Sequence, residues 1–109
     1  MIYEVIIMAA EVDILEKNKR IDVICQHCCS GKIYPIRMRI VDEDGQRQEF
    51  TVKEFIDKTI YSDYNLPNGI KVARAGIWKF ECKILVFGHF KWITIIYNSK
   101  ENIWRLQSA

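Results

Sequence analysis

The sequence predicts an all-β fold: one antiparallel meander of six strands, strongly curved or closed into a small barrel. Apolar residues recur at every second position, as in Tyr34, Ile36, Met38 and Ile40 around Arg37 and Arg39. Trp78, Phe80, Cys82, Ile84 and Val86 repeat the pattern around Lys79, Glu81 and Lys83. This two-residue period sorts side chains between the two faces of a strand. Turn residues interrupt it at Ser30-Gly31, Glu43-Asp44-Gly45 and Gly88-His89, where reversals of a meander belong. At 109 residues, half of them apolar, the chain suffices for one modest core and no second domain.

Residues 1–18 form an apolar N-terminal segment before a β domain over 19–109. Val5, Ile6 and Ile7 suit a strand, whereas Ala9, Ala10, Glu11, Leu15 and Glu16 suit a helix. A helix is favoured, with Lys19 and Arg20 following it at the negative end of its dipole. Glu4 interrupts the apolar run, which is too short for the roughly 20 residues that span a bilayer.

The first two strands, Ile21 to Cys29 and Lys32 to Val41, join through Ser30-Gly31 as a two-residue loop. That loop pairs Cys29 with Lys32, His27 with Tyr34, Cys25 with Ile36, Val23 with Met38 and Ile21 with Ile40, and sets Asp22 beside Arg39. The third strand, Gln46 to Val52, follows a three-residue loop ending in Gly45, where a left-handed backbone is required. Met38 then faces Phe50, Ile36 faces Val52 and Arg39 faces Glu49. Pro35 cannot donate to the ladder, so pairing between the second and third strands stops near Val52.

Between Lys53 and Gly76 lies a long connection, with a helical turn expected over Glu54 to Lys58, Tyr61 and Tyr64 beyond it, and a Leu66-Pro67-Asn68-Gly69 turn. The fourth and fifth strands, Ile77 to Phe87 and Phe90 to Tyr97, close through Gly88-His89. Ile84 then meets Ile93, Cys82 meets Ile95 and Phe80 meets Tyr97. A polar loop, Asn98 to Glu101, brings in the sixth strand, Ile103 to Leu106, with Ile95 facing Trp104 and Ile93 facing Leu106.

The segment Gly31 to Arg39, the Asp44-Gly45 turn, Phe50-Thr51-Val52, Phe80 to Ile84 and Trp104 resemble an uncharacterised family of small bacterial β-rich proteins. The resemblance covers about Lys19 to Leu106 and implies a compact β domain. It carries over no catalytic residue. The apolar N-terminal segment and the Cys25 to Cys29 cluster depart from that pattern.

Sixteen Lys and Arg against fourteen Asp and Glu give a net charge of +2, too little for the strong basic field of a dedicated nucleic-acid binder. The four cysteines follow no secretory leader pattern, so a cytoplasmic protein with reduced thiols is expected. Cys25, His27 and Cys29 project to one face of a strand, and Cys82 joins the same core, which makes them weak candidates for a metal site. Their spacing is not that of a zinc finger, and buried thiols often serve as small hydrophobes. No phosphate-cradling glycine loop or paired-carboxylate motif is present. No enzyme activity and no cofactor are expected.

Leu85 beside Trp92 and Phe87 beside Phe90, with Ile96 nearby, fall on the face opposite the core. Cover by the N-terminal helix of the same chain is favoured, since Ile2, Ile6 and Ala9 also need burial, and the alternative is a contact for a second copy or another protein. The favoured function is a non-catalytic protein-interaction or self-association module. The alternative is a nucleic-acid-binding barrel using Arg37, Lys79, Lys83 and Lys91, and the third is a metal protein through the Cys/His cluster. No membrane contact is expected.

Overall fold

The computed structural model describes residues 19–41, 44–63 and 66–108. The helix expected over residues 1–18, and Tyr64, lie outside the described residues. Six strands, β1 (Arg20–His27), β2 (Ile33–Val41), β3 (Arg47–Asp57), β4 (Ile77–Val86), β5 (His89–Asn98) and β6 (Ile103–Ser108), follow one another in space as in sequence. All neighbours are antiparallel, and β1 pairs with β6 to close the barrel. Closure removes the open edges of a flat meander. Among the described residues, no helix is long and apolar enough to cross a membrane.

The core is the inward half of the two-residue pattern. Met38, Ile40, Phe80, Cys82, Ile84, Val86, Ile95 and Leu106 are fully buried, with Ile21, Ile33, Phe50, Ile93 and Trp104 nearly so. The Phe80 ring lies 6.1 Å from Trp104, which lies 4.8 Å from Tyr97. Arg39 faces Glu49 across β2 and β3, and Met38 faces Phe50, as the three-residue loop ending in Gly45 requires. Gly45 has a φ of 79°.

The β1–β2 loop is one residue longer than the sequence implied. Cys28 donates to the carbonyl of Lys32, so His27 pairs with Ile33 and Cys25 with Pro35. A bulge then adds Ile36 to β2 and restores the expected pairing of Val23 with Met38. Pro35 explains where the bulge falls, because it has no N–H for a regular ladder. The consequence reverses the expected face: Ile33 and Pro35 are buried while Ile36 stands 45% exposed.

Pairing of β2 with β3 ends at Arg37 and Thr51, as Pro35 predicted. β3 itself does not stop there. It runs on to Asp57 against β4, through the segment where a helical turn was expected. A bulge at Lys53 points both Val52 and Phe55 at the core, a spacing that imitates one face of a helix.

The β4–β5 turn uses Phe87 and Gly88, not Gly88 and His89, so Leu85 faces Phe90 and Lys83 faces Trp92. Both turn residues have positive φ, 49° and 82°, the type I′ form that matches strand twist. The β5–β6 loop is likewise displaced, with Asn98 facing Ile103 and Ile95 facing Leu106. There Asn98 Oδ1 accepts from the amides of Lys100 and Glu101, and Asn102 takes the left-handed position. Both displacements move the register by an even number, so the faces stay as predicted.

The connection from β3 to β4 folds back on itself. Tyr61 bridges Ala73, Leu66 to Gly69 form the expected turn, and Lys71 donates to the carbonyl of Ser30 at 2.7 Å. The excursion is thereby docked on the β1–β2 loop. It ends in a short 3-10 turn, Arg74–Gly76.

Candidate functional site

The outer face of the β4–β5 hairpin presents the largest apolar side chains left in water. Leu85 and Phe87 are each 41% exposed, Trp92 46% and Phe90 62%. Alternation puts them there: each rung of the hairpin sends Phe80, Cys82, Ile84 and Val86 inward and their neighbours outward. Leu85 and Phe90 are direct cross-strand partners, and Trp92 sits opposite Lys83 on the next outward rung. Lys83 bridges to Glu54 at 3.5 Å and places its Nζ 4.7 Å from the centre of the Phe90 ring. A cation over an aromatic face contributes about 0.5–1 kcal/mol at an exposed site and fixes the ring.

Phe87 adds a second cost to the exposure. A φ of 49° suits Asn, Asp or Gly, and costs other residues about 1–2 kcal/mol. An aromatic side chain is therefore held at the tip of this turn against both strain and hydration. Ile96, expected in the same patch, faces Lys79 instead of a hairpin aromatic and is half-buried. It lines a separate groove of about 240 Å³ with Ile77, Ile103 and Arg105.

The thiol and imidazole candidates are brought only partly together. Cys25 Sγ lies 3.7 Å from His27 Nε2, Cys29 is exposed in the loop, and Cys82 is sealed in the core. Burial pushes the Cys25 thiol up and holds Cys82 up to about 12, away from the thiolate that a nucleophile or metal ligand must supply. No cluster of three His, Cys, Asp or Glu suited to a metal occurs among the described residues.

The four cations of the nucleic-acid alternative do not all share one face. Arg37 on β2 lies 3.8 Å from Glu49, and Lys83 is engaged as above. Lys91 pairs with Ile84 and therefore faces the other way from Lys79 and Lys83. Arg39, expected between two acids, bonds Asp22 at 3.0 Å.

A polar and aromatic cluster at the opposite end of the barrel was not legible in the sequence. Tyr61 donates to Asp57 Oδ2 at 2.6 Å, the Thr59 amide donates to Oδ1 at 2.9 Å, and the Tyr61 ring meets Trp78 edge-on. Burial first, and the Asp57 hydrogen bond second, raise the Tyr61 phenol. A hydrogen bond with Cys28 raises Tyr34, whose ring lies 5.4 Å from Phe55. This cluster ties the excursion to the barrel. The strand-like alternation of Phe55, Asp57 and Thr59 was its only signal.

Compared with protein-family models, curated proteins and solved structures, the chain has no significant match.

Proposed function

We propose that the protein is a non-catalytic β-barrel module that acts by protein–protein contact, self-association included, through Leu85, Phe87, Phe90 and Trp92. One observation carries the reading: a strained, exposed phenylalanine caps a hairpin whose outward rungs also expose Leu85, Phe90 and Trp92. Water disfavours such a surface, and aromatic side chains are the common anchors of protein interfaces. Four side chains fall well short of the roughly 20 residues a side of a stable interface, so the contact is weak and reversible. In this reading the module works in the cytoplasm, where its four unpaired cysteines stay reduced. The nucleic-acid alternative draws less support, since Lys91 faces away from Lys79 and Lys83, and Arg37 and Lys83 are paired with Glu49 and Glu54.

Sedimentation velocity over a concentration series tests the proposal. Reversible self-association with a dissociation constant on the order of 100 μM is expected, and Trp92→Ser weakens it about tenfold, as loss of a central anchor does. A monomer at every concentration, unaffected by that substitution, removes the self-association reading.

A further inference from the structure

Away from the hairpin face, the excursion builds a pocket of about 250 Å³ lined by the apolar Ile60, Ala75 and Ile77 and by the cations Lys58, Arg74 and Lys79. Its geometry follows from the backbone. The Lys58 amide donates to the carbonyl of Lys79 at 2.8 Å, so the two lysines are direct cross-strand neighbours. Thr59 Oγ1 accepts from the Lys79 amide at 3.0 Å and fixes that rung. The Arg74 amide donates to the carbonyl of Ile60 at 2.8 Å, which brings the third cation onto the same opening.

Like charges placed opposite one another on a sheet are destabilising. Lys58 and Lys79 form no ion pair with any described carboxylate. Among the described residues, Arg74 pairs only with Asp63, at 3.8 Å, whose side chain is fully exposed. Ile60, 64% exposed, lines the same pocket as these cations, and so does Ala75, which holds a left-handed φ of 57°. Three cations and exposed apolar side chains lining one pocket form a surface whose charge and apolar exposure an amphipathic anion would both relieve.

We propose that this pocket binds an organic phosphate monoester, its dianionic head held by Lys58, Lys79 and Arg74 and its apolar body resting on Ile60 and Ile77. A dianion matches three converging cations better than a single negative charge does. Lys supplies compact charge, and the Arg fork can take two phosphate oxygens. The volume lies just below the roughly 300–1,000 Å³ of drug-sized sites, so it admits one ring or a short alkyl body beside the head group. The site is independent of the hairpin face, and its success or failure leaves the self-association reading untouched.

The test is an NMR titration of the full chain with phenyl phosphate, inorganic phosphate and phenol. Phenyl phosphate should saturate the amide shifts of Lys58, Ile60, Ala75 and Lys79 with a dissociation constant of about 1 mM, the scale for a ligand of that size. Inorganic phosphate and phenol, each carrying half of the recognition, should bind several-fold more weakly. Lys58→Gln and Lys79→Gln should each weaken phenyl phosphate about fivefold, in keeping with exposed ion pairs. Both lysines lie outside the core, so these variants keep the barrel, and Arg74→Gln gives an independent third. Shifts that stay linear in phenyl phosphate, or a Lys58→Gln/Lys79→Gln double variant of unchanged affinity, overturn the proposal. Equal affinity for inorganic phosphate overturns the role of Ile60 and Ile77.

Discussion

Single residues reveal where this chain departs from the most stable choice. Phe87 sits in a turn position with a φ of 49° that asparagine adopts at little cost. Phe87→Asn is therefore expected to stabilise the barrel by about 1 kcal/mol in urea unfolding, while weakening self-association in sedimentation. Opposite signs in the two measurements distinguish a residue kept for contact from one kept for folding. If the variant is less stable, the φ penalty is not the controlling term. Leu85, Phe90 and Trp92 were legible as outward residues because alternation alone decides their face, whereas Phe87 is exposed as a turn residue. Lys58 and Arg74 were not legible as a pair, since only the fold-back of the β3–β4 connection brings them to one opening.

At the level of elements, the parity of each register shift determined what the sequence could disclose. The β4–β5 and β5–β6 turns each formed one residue away from the expected place, yet the even shift left every inward residue inward. The β2 bulge adds a single residue, an odd shift, and it turned Ile36 outward and Ile33 inward. The β3 bulge hid half a strand, because Val52 and Phe55 on one face read as helical spacing. Docking of the excursion on the β1–β2 loop depends on Gly31, whose φ is 88°. A Cβ there would lie 2.5 Å from Ile70 Cγ2 and 2.7 Å from the Lys71 carbonyl oxygen. Gly31→Ala should cost about 2–4 kcal/mol, combining the left-handed penalty with overpacking against backbone. Gly69→Ala is the control: its φ of 79° is similar but nothing lies within 4 Å, so only about 1 kcal/mol is expected. Equal losses for the two in urea unfolding would mean that the docked contact contributes nothing.

For the whole molecule, stability rests on a closed barrel whose interior offers no polar partner to a charge. No polar or charged residue is buried among the described residues, so the one group there able to ionise is the Cys82 thiol. An unfolded thiol loses its proton near its ordinary value of 9.0, whereas burial holds Cys82 to about 12 in the native state. Between those values the folded chain binds more protons than the unfolded chain, so stability must fall as pH rises. It is fully present below about pH 9 and is progressively lost above it. Tyr61, raised from 10.0 by burial and by Asp57, acts in the same direction from a higher starting point. Urea midpoints of the parent and of Cys82→Ala, taken near pH 7, 9 and 10.5, isolate the Cys82 contribution. The alanine variant should be weaker than the parent near pH 7, through the small cavity it leaves, by about 1 kcal/mol. Its decline between the two higher pH values should be shallower, with the Cys25, Tyr34 and Tyr61 shares remaining, so that the curves of the two proteins converge on the alkaline side. Parallel curves would mean that the Cys82 thiolate meets water inside the barrel, and that closure by β1 and β6 does not seal the core.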